Sequence, residues 1–177
     1  VVRDKLRAGR RLIDKYGDNH PAEGDLLREV AAQLAESQLQ VQAAADEETL
    51  RGVEGAAAAA YFRAFAQMVR APFVFERRSQ HPAHNPVNAL LNLGYTLLAN
   101  EIAGRLEAAG FDPRVGYYHG VRYGRISLAL DLLEVHRAPV IDRLTLALLN
   151  RRMFAPADFE DLGGAQGVRL RPEALRR

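Results

Sequence analysis

Cysteine is absent from the 177 residues, which excludes a disulfide framework and thiolate metal ligation and points to a reducing compartment, the cytoplasm. Lysine is nearly absent too: of 24 basic residues only Lys5 and Lys15 are lysines, and the rest are arginines. No run approaches the roughly 18 apolar residues of a membrane span. The N-terminal stretch VVRDKLRAGRRLIDKYGDN carries charge throughout, where a secretory leader needs an apolar core, so neither membrane insertion nor a leader is expected. Nor does apolar/polar alternation persist long enough to argue for a sheet. Three common signatures are missing: H-E-x-x-H, the E-x-x-H pair of di-iron bundles, and the phosphate-cradling G-x-x-x-x-G-K-[ST].

What is present is 48% hydrophobic residues with a net charge of +2, enough for one helical domain over 1–177 with a real core. The start at Val1 and the end after RPEALRR read as a piece of a longer polypeptide. Guanidinium groups suit forked phosphate contacts, a property that gains weight where arginines stand beside a reactive centre.

Glycine and proline divide the chain into helical lengths, and the class expected is all-α. The pattern predicts a first helix over about Val1 to Tyr16, ended by YGDNHP, and a second over Ala22 to Ala45. A third runs from Asp46 to about Val69. A loop RAPFVFERRSQHPAHNP follows, then a fourth helix capped by Asn85, with Pro86 in its first turn, closing at Gly110. After an irregular segment a fifth helix covers Ile126 to Arg137, and Pro139 starts a sixth. The tail reads as a helical turn, PADFEDL, and a brief extended piece, VRLR.

On the fifth helix Ser127, Asp131, Glu134 and Arg137 recur at helical steps and share one face. A solvated face with a weak Glu134–Arg137 surface pair is the plain reading. The segment RGVEGAAAAAYF competes with it, because Gly52 and Gly55 flank Glu54. Each glycine costs a helix about 1 kcal/mol against alanine, which suggests close approach of another backbone or a bulky ligand. His119 lies in the irregular segment. Two carboxylates and an imidazole from three segments can hold a hard divalent ion, Mg²⁺ or Mn²⁺. His81 and His84 sit among prolines and read as solvent-exposed; His20 and His136 have no partner in the pattern.

The stretch NPVNALLNLGYTLLANEIAGRLEAAGFDPRVGYYHGVRYGRISLALDLLEVHRAPVIDRLTLALLNRR resembles the helical catalytic domain of the CRISPR adaptation integrase, the universal CRISPR-associated endonuclease that captures spacers. RGVEGAAAAAYF is similar to that family's glutamate motif. The resemblance implies metal ligation by Glu54, His119 and Glu134, with Asp131 a second acidic position beside the site and Arg137 a basic one facing it. Asn88 and Tyr95 match an architectural helix. The sequence departs from the family in HRAP, and no counterpart of the family's N-terminal β-domain, used for dimer formation, is found.

The implied reaction is metal-dependent transesterification, in which the 3′-hydroxyl of captured protospacer DNA joins the CRISPR repeat. The implied partners are double-stranded DNA, a second copy of the full-length protein, the small second adaptation subunit, and a fused or associated nuclease or reverse transcriptase. Arg122, Arg125 and Arg137 are the arginines placed to hold the DNA backbone. A catalytically silent DNA-binding scaffold of the same assembly is the alternative.

Overall fold

The computed structural model describes residues 1–118, 120 and 124–176. Among these, six α-helices carry the fold: α1 (Val2–Asn19), α2 (Gly24–Ala43), α3 (Glu47–Met68), α4 (Pro86–Ala108), α5 (Ser127–His136) and α6 (Arg143–Asn150). The all-α expectation holds, with one small addition in the tail. None of the described helices is long and apolar enough to cross a membrane.

Capping chemistry fixes two of the helix starts. Asp46 accepts a hydrogen bond from the Thr49 N–H and Asn85 accepts one from the Asn88 N–H, each satisfying a first-turn donor that has no partner within its helix. At the far end of α4, Gly110 takes a positive φ of 83°, the left-handed geometry that glycine adopts without a steric cost.

The first helix is longer than its sequence suggests. It continues through Gly17 to Asn19 because the preceding turn is held from outside: the Tyr16 hydroxyl donates to the Met68 carbonyl on α3. It stops at His20, whose position before Pro21 disfavours helical geometry. A single 3₁₀ turn, Pro21–Glu23, then leads into α2, which is correspondingly shorter than the expected Ala22 to Ala45.

A second correction concerns Pro139, which does not open a new helix. Residues Arg137–Asp142 form a π-helical stretch that joins α5 to α6. Proline has no N–H to give the carbonyl four residues back, and the chain absorbs the loss by widening one turn rather than breaking.

The third correction lies in the tail, where PADFEDL is not wholly helical. A short 3₁₀ turn, Pro156–Asp158, gives way to β1 (Phe159–Asp161), paired antiparallel with β2 (Val168–Leu170), so the extended reading of VRLR is met. Glycines 163, 164 and 167 take positive φ in the connection, and the Val168 N–H donates to the Ala83 carbonyl, tying the ribbon to the loop before α4.

The core runs between these layers. Helix α1 packs against α2, α3 and α5, while α4 covers α5 from another side and meets β2. Ile13, Leu27, Leu34, Phe65, Met68, Leu91, Leu133 and Leu149 are buried at its centre. Gly9 on α1 lies against the Tyr61 ring, where an added Cβ would come within 3.1 Å. Absence of a side chain there seats Tyr61 close to α1. At Gly94 on α4 a Cβ would lie 2.5 Å from Cγ2 of Ile141, so glycine permits α4 to meet the π stretch.

Candidate active site

Lys5 stands on the buried side of α1, in line with Val2, Leu6 and Gly9. Its ammonium lies 2.7 Å from Oε1 of Glu54 on α3 and 2.8 Å from Oε2 of Glu134 on α5. Three helices therefore converge on one positive charge. The remaining oxygens are also engaged: Tyr118 donates its hydroxyl to Oε2 of Glu54 at 2.5 Å, and Arg137 Nη2 lies 3.1 Å from Oε1 of Glu134. Burial and the bond to Glu54 together push the Tyr118 hydroxyl well above the usual tyrosine range.

The polar stripe of α5 is not a solvated face. Ser127 is fully buried, Asp131 is 2% exposed and Glu134 is 5% exposed. Compensation comes from the pairs above and from the backbone. Oδ2 of Asp131 accepts the N–H groups of Tyr117 and Tyr118 at 2.7 and 2.8 Å, and Ser127 donates to the Gly120 carbonyl. Tyr117, Tyr118 and Gly120 are thus fastened to the stripe. His119 and Arg122 lie outside the described residues. Arg125 is half-buried at the approach to α5.

Gly52 and Gly55 do not mark a close approach within this chain. A Cβ at either would meet nothing within 4 Å. Their face of α3 is open because the packed side of that helix is formed instead by Ala57, Tyr61, Ala64, Phe65 and Met68. His81 and His84 are exposed as expected, His136 is exposed too, and His20 stacks on Tyr16 with ring centroids 4.1 Å apart.

Lys5 and Glu134 open onto a cavity of about 640 Å³ whose lining also includes Arg63, Arg77, Arg78 and Arg137 beside Glu76 and Asp142. Arg78 donates to Oδ1 of Asn88 at 3.0 Å and to Oδ1 of Asn92 at 2.6 Å. Its guanidinium stands 5.2 Å from the Tyr95 ring centroid, and that of Arg137 stands 4.9 Å away, both within cation–π range. Asn88 is architectural, as the sequence suggests: it also accepts the Ser79 N–H and donates to the Arg77 carbonyl.

Beneath the arginines lies Asp142, only 1% exposed, which accepts hydroxyl hydrogen bonds from Tyr61 at 2.6 Å and Tyr95 at 2.5 Å. Burial raises its carboxyl above the ordinary value, against the opposing pull of the two hydroxyls and of Arg137 and Arg78. Burial, with the adjacent Asp142, also pushes both tyrosines upward.

Sequence reasoning missed Lys5, Tyr118, Arg78, Tyr61 and Asp142. Only Lys5 had a signal, as one of two lysines in an arginine-dominated chain lying on the apolar face of its helix.

Over its whole length, residues 1–177, the sequence matches the family described as CRISPR associated protein Cas1. This chain belongs to the Cas1 family. It is 52% identical over 141 residues to CRISPR-associated endonuclease Cas1 3 of Thermus thermophilus, an alignment covering 80% of this chain and 42% of that protein. It is 39% identical over 182 residues to a CRISPR-associated exonuclease Cas4/endonuclease Cas1 fusion of Rhodospirillum rubrum, covering 99% of this chain and 30% of the fusion. Among solved structures, a chain of a Cas6-RT-Cas1–Cas2 complex superposes with a TM-score of 0.87 at 30% identity, covering 99% of this chain and 19% of that one. The Cas1 chain therefore spans less than half the length of these relatives.

The donors present suit a hard divalent ion. Among the described residues no three His, Cys, Asp or Glu side chains gather as a metal group. Two carboxylate oxygens do converge on one cation, the Lys5 ammonium. Oε2 of Glu134 is buried, and its charge is met by the Lys5 ammonium at 2.8 Å. A pair of carboxylate oxygens that already share one cation position is a donor set suited to Mg²⁺ or Mn²⁺, which favour oxygen ligands.

Proposed function

We propose that this chain is the catalytic part of a CRISPR adaptation integrase, a metal-dependent DNA endonuclease and integrase. The reaction is a transesterification. The 3′-hydroxyl oxygen of a captured protospacer forms a bond to a phosphorus of the CRISPR repeat. The bond from that phosphorus to its own 3′-oxygen breaks, and the released oxygen takes up a proton, so the number of phosphodiesters is unchanged.

The observation that carries the reading is the convergence of Glu54 and Glu134, from two helices, on a single cation position beside an arginine-lined cavity. Glu54, Glu134 and His119 would hold Mg²⁺ or Mn²⁺, which when bound neutralises charge building on the phosphoryl group. The protein's own part is alignment. Asp131 fastens the backbone at Tyr117 and Tyr118, the approach to His119. Arg78 and Arg137, steadied on the Tyr95 ring, offer forked donors to phosphate oxygens without reading base sequence; Arg122 and Arg125 extend that role. The implied assembly includes double-stranded DNA, a second copy of the full-length protein, the small second adaptation subunit, and a linked nuclease or reverse transcriptase. The names of the Cas4 fusion and of the Cas6-RT-Cas1–Cas2 complex support the last two.

The test is strand transfer by the full-length protein with Mn²⁺. Replacing Glu54, His119 or Glu134 with alanine is expected to lower the rate by at least about a hundredfold with the helical fold intact. Activity retained in any one variant removes that residue from the site.

A second reading, a DNA-holding subunit without chemistry, is favoured by one observation: Glu134 is already neutralised by Lys5 and Arg137. Calorimetry separates the two. Mn²⁺ binding that disappears in Glu54→Ala supports the enzyme, and no binding supports the scaffold.

A further inference from the structure

We propose that Lys5 is the resident counter-ion of the metal site, and that loading a divalent ion is an exchange in which the ammonium leaves the two carboxylates. The inference rests on the integrase reading above and adds to it a residue that the metal must displace.

The geometry leaves little choice. Mg²⁺ lies about 2.1 Å from its oxygen ligands, so an ion shared by Oε1 of Glu54 and Oε2 of Glu134 would occupy the space now filled by Nζ, 2.7 and 2.8 Å from those atoms. Two cations cannot occupy one position, and close by they repel. Without a cation between them, the two partly buried carboxylates would turn like charges toward each other, a costly arrangement. Lys5 therefore holds the site together while it waits for metal, and it also competes with that metal.

Lysine suits both duties. Its charge sits at one point on a flexible four-carbon stem, and Lys5 lines the 640 Å³ cavity and is 22% exposed. The ammonium can swing into that space and stay solvated. A guanidinium at this position would engage both carboxylates through a rigid fork and resist removal.

The experiment measures Mn²⁺ binding calorimetrically for wild type, Lys5→Met, Lys5→Arg and Glu134→Gln, with melting temperatures recorded with and without Mn²⁺. Lys5→Met is expected to bind Mn²⁺ about tenfold more tightly than wild type and to gain more in melting temperature on adding the ion. Lys5→Arg is expected to bind more weakly than wild type, and it carries the test if Lys5→Met does not fold without metal. Unchanged or weaker binding in a folded Lys5→Met, or tighter binding in Lys5→Arg, overturns the exchange. If wild type binds Mn²⁺ and Glu134→Gln does not, the metal reading stands whichever way the lysine variants fall. If wild type and Lys5→Met alike bind none, both fall together.

Discussion

Tyr61 on α3 donates its hydroxyl to Asp142 in the π stretch at 2.6 Å, across 81 residues of chain. With Tyr95 on the opposite oxygen, this buried carboxylate links three elements that border the cavity, α3, α4 and the π stretch. Its stability consequences can be measured one atom at a time.

Tyr95→Phe removes one hydroxyl and leaves one oxygen of a buried carboxylate without its donor. The expected cost is about 1–3 kcal/mol, read as a lowered midpoint in urea denaturation. Tyr61→Phe is expected to cost a similar amount. The double variant is expected to deviate from the sum of the two, because both changes act on the same group.

Protonation of Asp142 supplies a pH signature. Burial raises its carboxyl in the folded state, so the native protein holds a proton more readily than the unfolded chain. The associated stabilisation is full below the ordinary carboxyl value near 3.8 and fades as pH rises through the elevated folded one. Asp142→Asn removes this component. Difference curves of unfolding free energy against pH, wild type minus Asp142→Asn, are therefore expected to slope downward with rising pH in that window.

Asp131 accepts two backbone N–H groups through a single oxygen. Asp131→Ala leaves both donors without that partner and is expected to cost about 1–3 kcal/mol. Amide exchange at Tyr117 and Tyr118 should accelerate. Asp131→Asn keeps an acceptor oxygen and is expected to lose less in both measurements.

Gly94→Ala would drive a methyl against Ile141, with an expected cost of about 1–3 kcal/mol from overpacking. Combining it with Ile141→Ala removes the obstructing branch. A coupling energy that favours the double variant in thermal melts is the expected result.

Gly52→Ala works in the opposite direction. The site is helical and open, so alanine is expected to stabilise by about 0.5–1 kcal/mol. If the same variant weakens DNA binding by the full-length protein, the open face of α3 is where the DNA or an assembly partner comes close.

How much of this could be read from the sequence depended on the range of the interaction. Asp46, Asn85 and Gly110 act within one helical turn, so the limits of α3 and α4 followed from local chemistry. The shared face of Ser127, Asp131, Glu134 and Arg137 followed from periodicity alone. Its burial did not, because the cation that meets Glu134 is Lys5, which comes from α1, far earlier in the chain. Likewise the environment of Asp142 depends on tyrosines from two other helices, and no local pattern announces that. Pro139 misled for the opposite reason: its local preference is for a break, and the packing of α4 and α1 against the π stretch overrode it.

That wide turn also sets angular phase. On a regular α-helix two residues eight apart diverge by about 80° around the axis, so Glu134 and Asp142 would look toward different walls. Spreading Arg137–Asp142 over a wider turn takes up the excess rotation. The ionic cluster and the tyrosine-bound acid consequently border one and the same cavity.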